Sequence, residues 1–581
     1  MSKLSSLALV LLGTCSPMIV TASDDSIITI TKEQRKDWLT RLVNVLSTAP
    51  EYSDNSFAPK SDLKVSNEKR NYVVTDKKRY DLASEDQDEN QPYLSNTFSQ
   101  QGLNHYADRI NVLDNEGLKN IYAYVKKGNS YIKDNGKSSS LSTYIKHLYK
   151  RVRPWDIVDE NGEYKQNFNK YKDAKHSISS YPSGHTWRGF QNGLSYALAF
   201  PEIGDEFISR SLQFGESRVI VGAHFPTDTI ASRISNYYLL SELLSDNQIV
   251  ADIANNARIA RDALKEECGD TVRNCLAFNK KVLYNQYKAE NDRIGYYGIT
   301  RQDMPATQLK VEDMPKESEA LLRLRFPYLS AADRLSIIAS TAYPNNSLAA
   351  WDASRTDNDR YWGLIDLPKA YNGPSYLYQD MYVNQVDSGD LDFANFGSFD
   401  TWNNAISGPG QLVKSGDGTL VLNGNDSFNG VTVNGGVLVV QGNSQYQGQS
   451  TVNDGHLVVN GTLGSDLDVN DKGILSGNGT LKNVNVNPGA QVAPGNSVGD
   501  LHITNNITFN PGSRYAVEVD NNGNSDRIQS AGTATLNGGN VTVSLENSSN
   551  LLSQSDVRSL LGQQYNILSA QQGVSGQFDS V

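Results

Sequence analysis

Residues 431–440, VTVNGGVLVV, return as STVNDGHLVV at 450–459 and then, altered, as LDVNDKGIL (467–475) and VNVNPGAQV (484–492). The valines Val433, Val452, Val469 and Val486 follow one another at intervals of 19, 17 and 17 residues. Short β-branched runs cut by Gly, Asn and Asp at a near-constant period describe stacked coils, each burying one strand face against its neighbour. The spacing therefore predicts a β-solenoid over 408–581. A β-sandwich of hairpins is the competing fold, since Asn-Gly and Asp-Gly also make hairpin turns. The regular period favours the solenoid.

The rest of the chain follows other rules. Of the 46 glycines 27 lie after residue 400, but only six of the 53 Lys and Arg residues do. A chain of 581 residues exceeds one ordinary core, so several domains are expected. Residues 31–47, TKEQRKDWLTRLVNVLS, space Trp38, Leu39, Leu42, Val43 and Leu46 as a helix, with Thr31 and Gln34 as a capping box. Residues 50–100 are polar without a sustained period and read as loop and short helix. Helical signals dominate 113–290, where Ile249, Ile253, Ala257, Ala260 and Leu264 form one face. Between 290 and 400, SEALLRLRF and SAADRLSIIAST look helical before an irregular Trp- and Tyr-containing stretch; together they read as extension and connector.

The formal charge of −12 argues against nucleic acid as a partner, which needs a basic face. Residues 1–22 carry Lys3, an apolar run from Leu7 to Leu12, and the small pair Val20 and Ala22. They read as a secretory signal cleaved after Ala22, with a lipid-modified Cys15 as the weaker alternative. Cleavage leaves Cys268 and Cys275, which an exported protein is expected to join as a small disulfide loop. No four-ligand metal set accompanies them, and no metal is expected. No later stretch has the length and apolarity of a membrane-spanning helix.

Three stretches between 146 and 228 hold candidate chemistry. In KHLYKRVRP, Lys146 and Arg153 lie seven residues apart, a spacing that puts both on one helix face before Pro154. In YPSGHTWRGF, Ser183 and Gly184 open a helix with His185 in its first turn, where main-chain N–H groups attract anions. In SRVIVGAHFPTD, Arg218 precedes His224, and Pro226 starts a helix that brings Asp228 within reach of the imidazole. Singly, each piece is more often a solvated helix face, a turn or a surface hydrogen bond.

Together, 11 positions agree in identity and spacing with one pattern: Lys-x6-Arg-Pro, Pro-Ser-Gly-His, and Ser-Arg-x5-His-x3-Asp. The pattern resembles the type 2 phosphatidic acid phosphatase superfamily, above all its soluble bacterial class A non-specific acid phosphatases, which share their site with vanadium haloperoxidases. The resemblance covers about 95–290. It implies an all-α core and cofactor-free hydrolysis of small phosphate monoesters, with vanadate occupying the phosphate site as an inhibitor. It also implies His224 as nucleophile, Asp228 as its orienting partner and His185 as proton donor. Lys146, Arg153, Ser183, Gly184 and Arg218 would hold the phosphoryl oxygens.

The C-terminal stretches GPGQLVKSGDGTLVLNGN, APGNSVGDL and NSDRIQSAGTATLNGG resemble autotransporter passenger repeats. That resemblance implies an outer-membrane translocator barrel as partner, although no barrel-length run follows here. The expected architecture is multidomain, an all-α phosphatase core followed by a right-handed β-solenoid. Its expected divisions are a signal at 1–22, an N-terminal helix and irregular segment at 23–95, the core at 96–290, a connector at 291–407, and passenger repeats at 408–581. The expected location is outside the cytoplasm: periplasm, cell surface or medium. Two competing activities share these residues: a vanadate-dependent haloperoxidase, and a structural or adhesive passenger with a vestigial phosphatase domain.

Overall fold

The computed structural model describes residues 41–42, 46, 57–70, 72–86, 115–127, 132–134, 137–156, 179–268, 272, 276, 293–351, 361–386, 389–520, 522–546, 560 and 562–581. The signal segment, most of the expected 31–47 helix, and Cys275 with its expected loop to Cys268 lie outside them. The chain divides into two units: Met1–Arg325 with Thr341–Tyr371 and Gly389–Ala394, and Phe326–Ser340 with Asn372–Ser388 and Asn395–Val581.

The first unit is helical. Its main elements are α1 (Phe57–Arg70), α2 (Lys77–Glu85), α3 (Glu116–Lys127), α4 (Leu141–Tyr149), α5 (Gly184–Ala199), α6 (Gly204–Ile220), α7 (Pro226–Leu244) and α8 (Asn247–Cys268). A small antiparallel ribbon, Ile132–Asp134 with Lys137–Ser139, interrupts the all-α expectation. Every residue of α7 except Glu242 is buried, which makes it the central helix. Two of its polar side chains bond back into the helix: Ser235 Oγ donates to Ala231 O at 2.8 Å, and Asn236 Nδ2 to Ser232 O at 2.8 Å. Helix α5 lies against α6 so closely that a Cβ on Gly193 would sit 1.9 Å from Ser211 Oγ. The residues predicted for its apolar stripe, Trp187, Phe190, Leu194 and Leu198, are all buried, as is the expected face of α8.

Residues 57–86 correct the sequence reading. They form three helices, Phe57–Arg70, Tyr72–Thr75 and Lys77–Glu85, where loop and short helix were expected; the first is long, and its period was hidden because the buried face of α1 is largely polar. Ala58, Ser61, Asp62, Val65, Ser66 and Lys69 are all buried and keep helical spacing, but too few are apolar to give a hydrophobic period. Ion pairs hold that face. Glu216 on α6 accepts from Lys69 Nζ at 2.6 Å, Arg79 Nη2 at 3.0 Å and Arg293 Nη1 at 2.7 Å. Burial pushes the Glu216 carboxyl up, but these three cations outweigh it and bring it down to about 2. The stabilisation is complete above the ordinary glutamate range and is lost as pH falls through about 2.

A second correction concerns 146–154. Helix α4 stops at Tyr149 and Lys150 turns left-handed at φ 47°, so Lys146 and Arg153 do not share a helix face. Residues preceding proline disfavour helical geometry, which is why Arg151 and Arg153 leave the helix before Pro154. The part of the connector that joins this unit is tied to α7 by buried Arg233, which donates to Gly295 O at 2.7 Å and Gly363 O at 2.6 Å. SEALLRLRF is mostly a 3-10 turn, Lys316–Leu322, and not an α-helix.

In the second unit the named strands from Met381 onward pair in parallel. Hairpins would pair antiparallel, so the sandwich alternative fails. The result is a solenoid-like, parallel-strand stack in which the repeat valines lie directly over one another: Val433 on Val452, Val452 on Val469, Val469 on Val486. Val486 then meets Phe509, and Phe509 meets Leu536, across spacings of 23 and 27 residues that hid these coils from the repeat. A second buried column runs Leu420, Leu438, Leu457, Leu475, Val492, Tyr515. Outside it, Asn434, Asn453, Asn470, Asn487 and Asn510 form a ladder of side-chain hydrogen bonds of 2.6–3.0 Å.

The stack also begins earlier than the repeats suggested. Met381–Gln385 pairs with Leu412–Gly416, and Phe399–Trp402 with Thr419–Leu422, so the boundary moves back from 408. An aromatic cluster serves these first coils. Fully buried Trp402 donates through Nε1 to Tyr328 Oη at 3.1 Å, and Tyr328 Oη donates to Asp400 Oδ2 at 2.6 Å. Gly373, at φ 90°, lets the chain pass where a Cβ would meet Trp402 Cγ at 2.7 Å.

Two substitutions test these packing claims. Glu216→Gln strands Lys69 and Arg79 in a buried site and is expected to cost about 3–5 kcal/mol, read as a lowered thermal midpoint of the helical unit. Leu475→Ala opens a cavity in the middle of a buried column and is expected to cost about 2–5 kcal/mol, read from the solenoid's own denaturant transition.

Candidate active site

The site is assembled where the N-terminus of α5, the C-terminus of α6 and the N-terminus of α7 meet. Ser183 caps α5: its Oγ accepts from Thr186 N at 3.3 Å and from Thr186 Oγ1 at 2.9 Å. Its N–H donates to Asp228 O at 3.1 Å, and its carbonyl accepts from Ser232 Oγ at 2.7 Å, which fixes the start of α5 to the first turn of α7. Gly184 is the first helical residue, with an N–H that has no partner within the helix. Gly222, at φ 74°, turns the chain after α6, so that Arg218 O accepts from both Ala223 N (3.0 Å) and His224 N (3.1 Å).

His224 is buried, with Nδ1 3.4 Å from Asp228 Oδ2 and Nε2 3.2 Å from Arg153 Nη1. A guanidinium only donates, so Nε2 carries the lone pair and the ring proton sits on Nδ1, facing the carboxylate. The 3.4 Å separation is long, as such contacts often are without substrate. Burial, reinforced by Arg153, keeps His224 neutral well below the usual histidine range despite Asp228. Asp228 is itself held by Arg151 Nη1 at 2.6 Å and by Phe225 N at 2.8 Å. Burial alone would raise its carboxyl, but Arg151, His224 and the Phe225 N–H hold it ionised, far below the ordinary range.

Cations converge opposite. Arg218 is buried at the end of α6, and Arg153 Nη1 also donates to Ala223 O at 2.8 Å. Lys146 Nζ donates to Ser179 O at 2.9 Å and also to Pro182 O, so in this state it braces the loop leading into α5. Burial and Arg153 bring the Lys146 ammonium down to about 7. His185, half-buried in the first turn of α5, is pushed down to about 3 by burial and then by Arg218, Arg153 and Lys146. A pocket that suppresses protonation of both a lysine and a histidine has an excess of positive potential, which an oxyanion would relieve.

The contacts and charge couplings above bring the predicted residues to one neighbourhood at the start of α5 and α7. Sequence reasoning passed over Arg151, which hides inside KRVR as one more surface-like cation, and Asp62, which sits in an aperiodic polar run. Both belong to the same buried network: Arg151 Nη2 donates to Asp62 Oδ2 at 2.7 Å, and Thr227 N to Asp62 Oδ1 at 3.0 Å. The remaining histidine contacts are elsewhere; His456 Nε2 lies 2.6 Å from Ser476 Oγ in the solenoid. Among the described residues no group of three or more His, Cys, Asp or Glu side chains is placed to hold a metal, and no helix is long and apolar enough to cross a membrane.

Residues 136–244 match the PAP2 superfamily, and residues 412–440 match the passenger-associated-transport-repeat. The chain is 36% identical over 288 residues to an extracellular serine protease of Serratia marcescens, covering 45% of this chain and 25% of that protein. It is 36% identical over 103 residues to a non-specific acid phosphatase of Providencia stuartii, covering 18% of this chain and 39% of that one. Against the Neisserial autotransporter lipoprotein NalP of Neisseria meningitidis serogroup B it is 30% identical over 158 residues, 27% of this chain and 13% of the relative. The chain therefore spans well under half the length of each of these three relatives.

The pocket's electrostatics make a measurable demand. Binding of phosphate at pH 8, where it is largely the dianion, is expected to take up protons, because the dianion raises the protonation of Lys146 and His185. Calorimetry in two buffers of different ionisation enthalpy should show the uptake, and His185→Asn should reduce it.

Proposed function

From a chain that joins a PAP2 superfamily domain to autotransporter passenger repeats, we propose an exported phosphatase that hydrolyses phosphate monoesters through a phosphohistidine on His224. The observation that carries this reading is the placement of His224, with Nε2 3.2 Å from Arg153 Nη1 and Nδ1 3.4 Å from Asp228 Oδ2. Nε2 of a neutral, buried imidazole faces the cation cluster with its lone pair, and an ionised carboxylate holds the far side of the ring.

In the first half-reaction His224 Nε2 attacks phosphorus as the bond to the leaving oxygen breaks, and His185 gives that oxygen its proton. His185 acquires the proton with the dianion, since the empty pocket keeps it neutral down to about pH 3. In the second half-reaction His185 takes a proton from water, whose oxygen attacks phosphorus, and the P–N bond breaks to release phosphate. Arg153, Arg218 and Lys146, with Ser183 and the Gly184 N–H, would carry the charge on the equatorial oxygens, the part a metal ion plays in other phosphoryl-transfer sites. Lys146 would have to exchange a carbonyl partner for the substrate. Vanadate fits the same cage as an inhibitor. The passenger repeats support export and, by likeness to autotransporters, right-handed coils and a translocator barrel as partner.

Turnover of a chromogenic phosphate monoester by the purified chain with excess chelator tests the proposal. Activity should be inhibited by vanadate and fall by about 1000-fold or more in His224→Ala, as expected when a covalent nucleophile is removed. Equal activity in His224→Ala would overturn the assignment.

A further inference from the structure

We propose that Arg151 and Asp62 are positioning residues for the nucleophile: Asp62, on α1, anchors Arg151, and Arg151 clamps Asp228 so that His224 keeps Nε2 turned to the phosphorus. This rests on the phosphatase reading above. It also places part of the catalytic apparatus on a segment outside residues 136–244, the span that matches the superfamily.

Both terminal nitrogens of the Arg151 guanidinium are bonded to buried partners. Nη1 donates to Asp228 Oδ1 at 2.6 Å and to Thr227 Oγ1 at 2.8 Å, and Nη2 donates to Asp62 Oδ2 at 2.7 Å. Its flat face stacks on the Phe225 ring at 4.4 Å. Asp62 is bound in turn to the first turn of α7 through the Thr227 N–H at 3.0 Å. Asp62, Thr227 and Asp228 are fully buried. Arg151 takes Asp228 Oδ1, while Oδ2 is left to the Phe225 N–H and to His224. The carboxylate therefore has one orientation, and its second oxygen is the one that reaches the imidazole.

Charge gives the clamp a second consequence. Asp228 faces Arg151 from the turn after α4, Asp62 from α1, His224 from the loop before α7, and Arg153 and Lys146 from the pocket side. Burial opposes ionisation of both carboxylates and leaves Asp62 raised, while Asp228 stays low with Arg151 as its largest support. A neutral Asp228 could not favour the Nδ1–H tautomer or the positive ring that forms during transfer. Lysine in place of Arg151 would keep the charge but could not span the two carboxylates with a planar fork.

Arg151→Gln, Arg151→Lys and Asp62→Asn in the full chain, each with its thermal midpoint, test the clamp beside wild type and His224→Ala. For Arg151→Gln, kcat is expected to fall about 100-fold or more with little change in KM, as when an orienting carboxylate is lost. The acidic limb of its kcat profile should rise by about one pH unit or more. Arg151→Lys should fall between wild type and Arg151→Gln, and Asp62→Asn, which is the milder change, should lower kcat about 10-fold and keep the fold if Arg151→Gln does not. Independently of turnover, 15N spectra of the histidines should show the Nδ1–H tautomer at His224 in wild type and its loss in Arg151→Gln or Asp62→Asn. An unchanged tautomer with an unchanged acidic limb overturns the clamp. So does a loss of activity by one factor at every pH that tracks the drop in thermal midpoint. The phosphatase reading stands or falls separately, on wild type against His224→Ala.

Discussion

The carboxylate of Asp228 is the constraint on which the helical unit turns. It is fully buried, and it is ionised because Arg151, the Phe225 N–H and the His224 ring surround it. Arg151 comes from the turn after α4, and Phe225 and His224 from the loop that enters α7, so satisfying one charge ties these two pieces of chain together. The Asp228 main-chain carbonyl adds a further tie, through Ser183 N, to α5. A buried ion pair of this kind adds little net stability over an apolar substitute, but a half-broken one is severely destabilising, so the geometry is enforced.

Electrostatic opposition defines the rest of the pocket. Arg153, Arg218 and Lys146 crowd together beside His185, and burial with this crowding lowers the proton affinity of both His185 and Lys146. The two histidines are thereby differentiated by surroundings. His224 is buried against Asp228, which partly offsets the loss of its proton affinity, while the more open His185 faces Arg218, Arg153 and Lys146, which lower its own further. On the proposed function, fixed charge of this kind would favour a phosphoryl dianion, with little reorganisation at the moment of reaction.

The second unit relies on repetition. Val433, Val452, Val469 and Val486 stack because the chain returns to the same register after each coil, and the asparagine ladder repeats the same condition in polar form. No single residue there carries the structure as Asp228 does. When the spacing lengthens to 23 and 27 residues, the register survives through Phe509 and Leu536 although the sequence repeat fades.

Much was legible before any coordinates. The apolar faces of α5 and α8, the helix starts at Gly184 and Pro226 and the valine period follow from local pattern, because backbone preference and periodicity are local properties, whereas the candidate site residues were named by the spacing of three motifs taken together. Three things were not. Helix α1 was hidden because its buried face is ionic, and hydrophobic periodicity cannot report a charge that is buried by its partners. The coils at 381–402 were hidden because their core is closed by Trp402 and Tyr328 and not by a repeat. Arg151 could not be told from its neighbours in KRVR, since a cation becomes structural only when carboxylates distant in sequence close on it. The sequence by itself determined the two architectures and named the residues of the candidate site. Only the tertiary structure decided which charges pair, because Asp62 and Asp228 meet Arg151 across 89 and 77 residues of chain, and nothing local records that meeting.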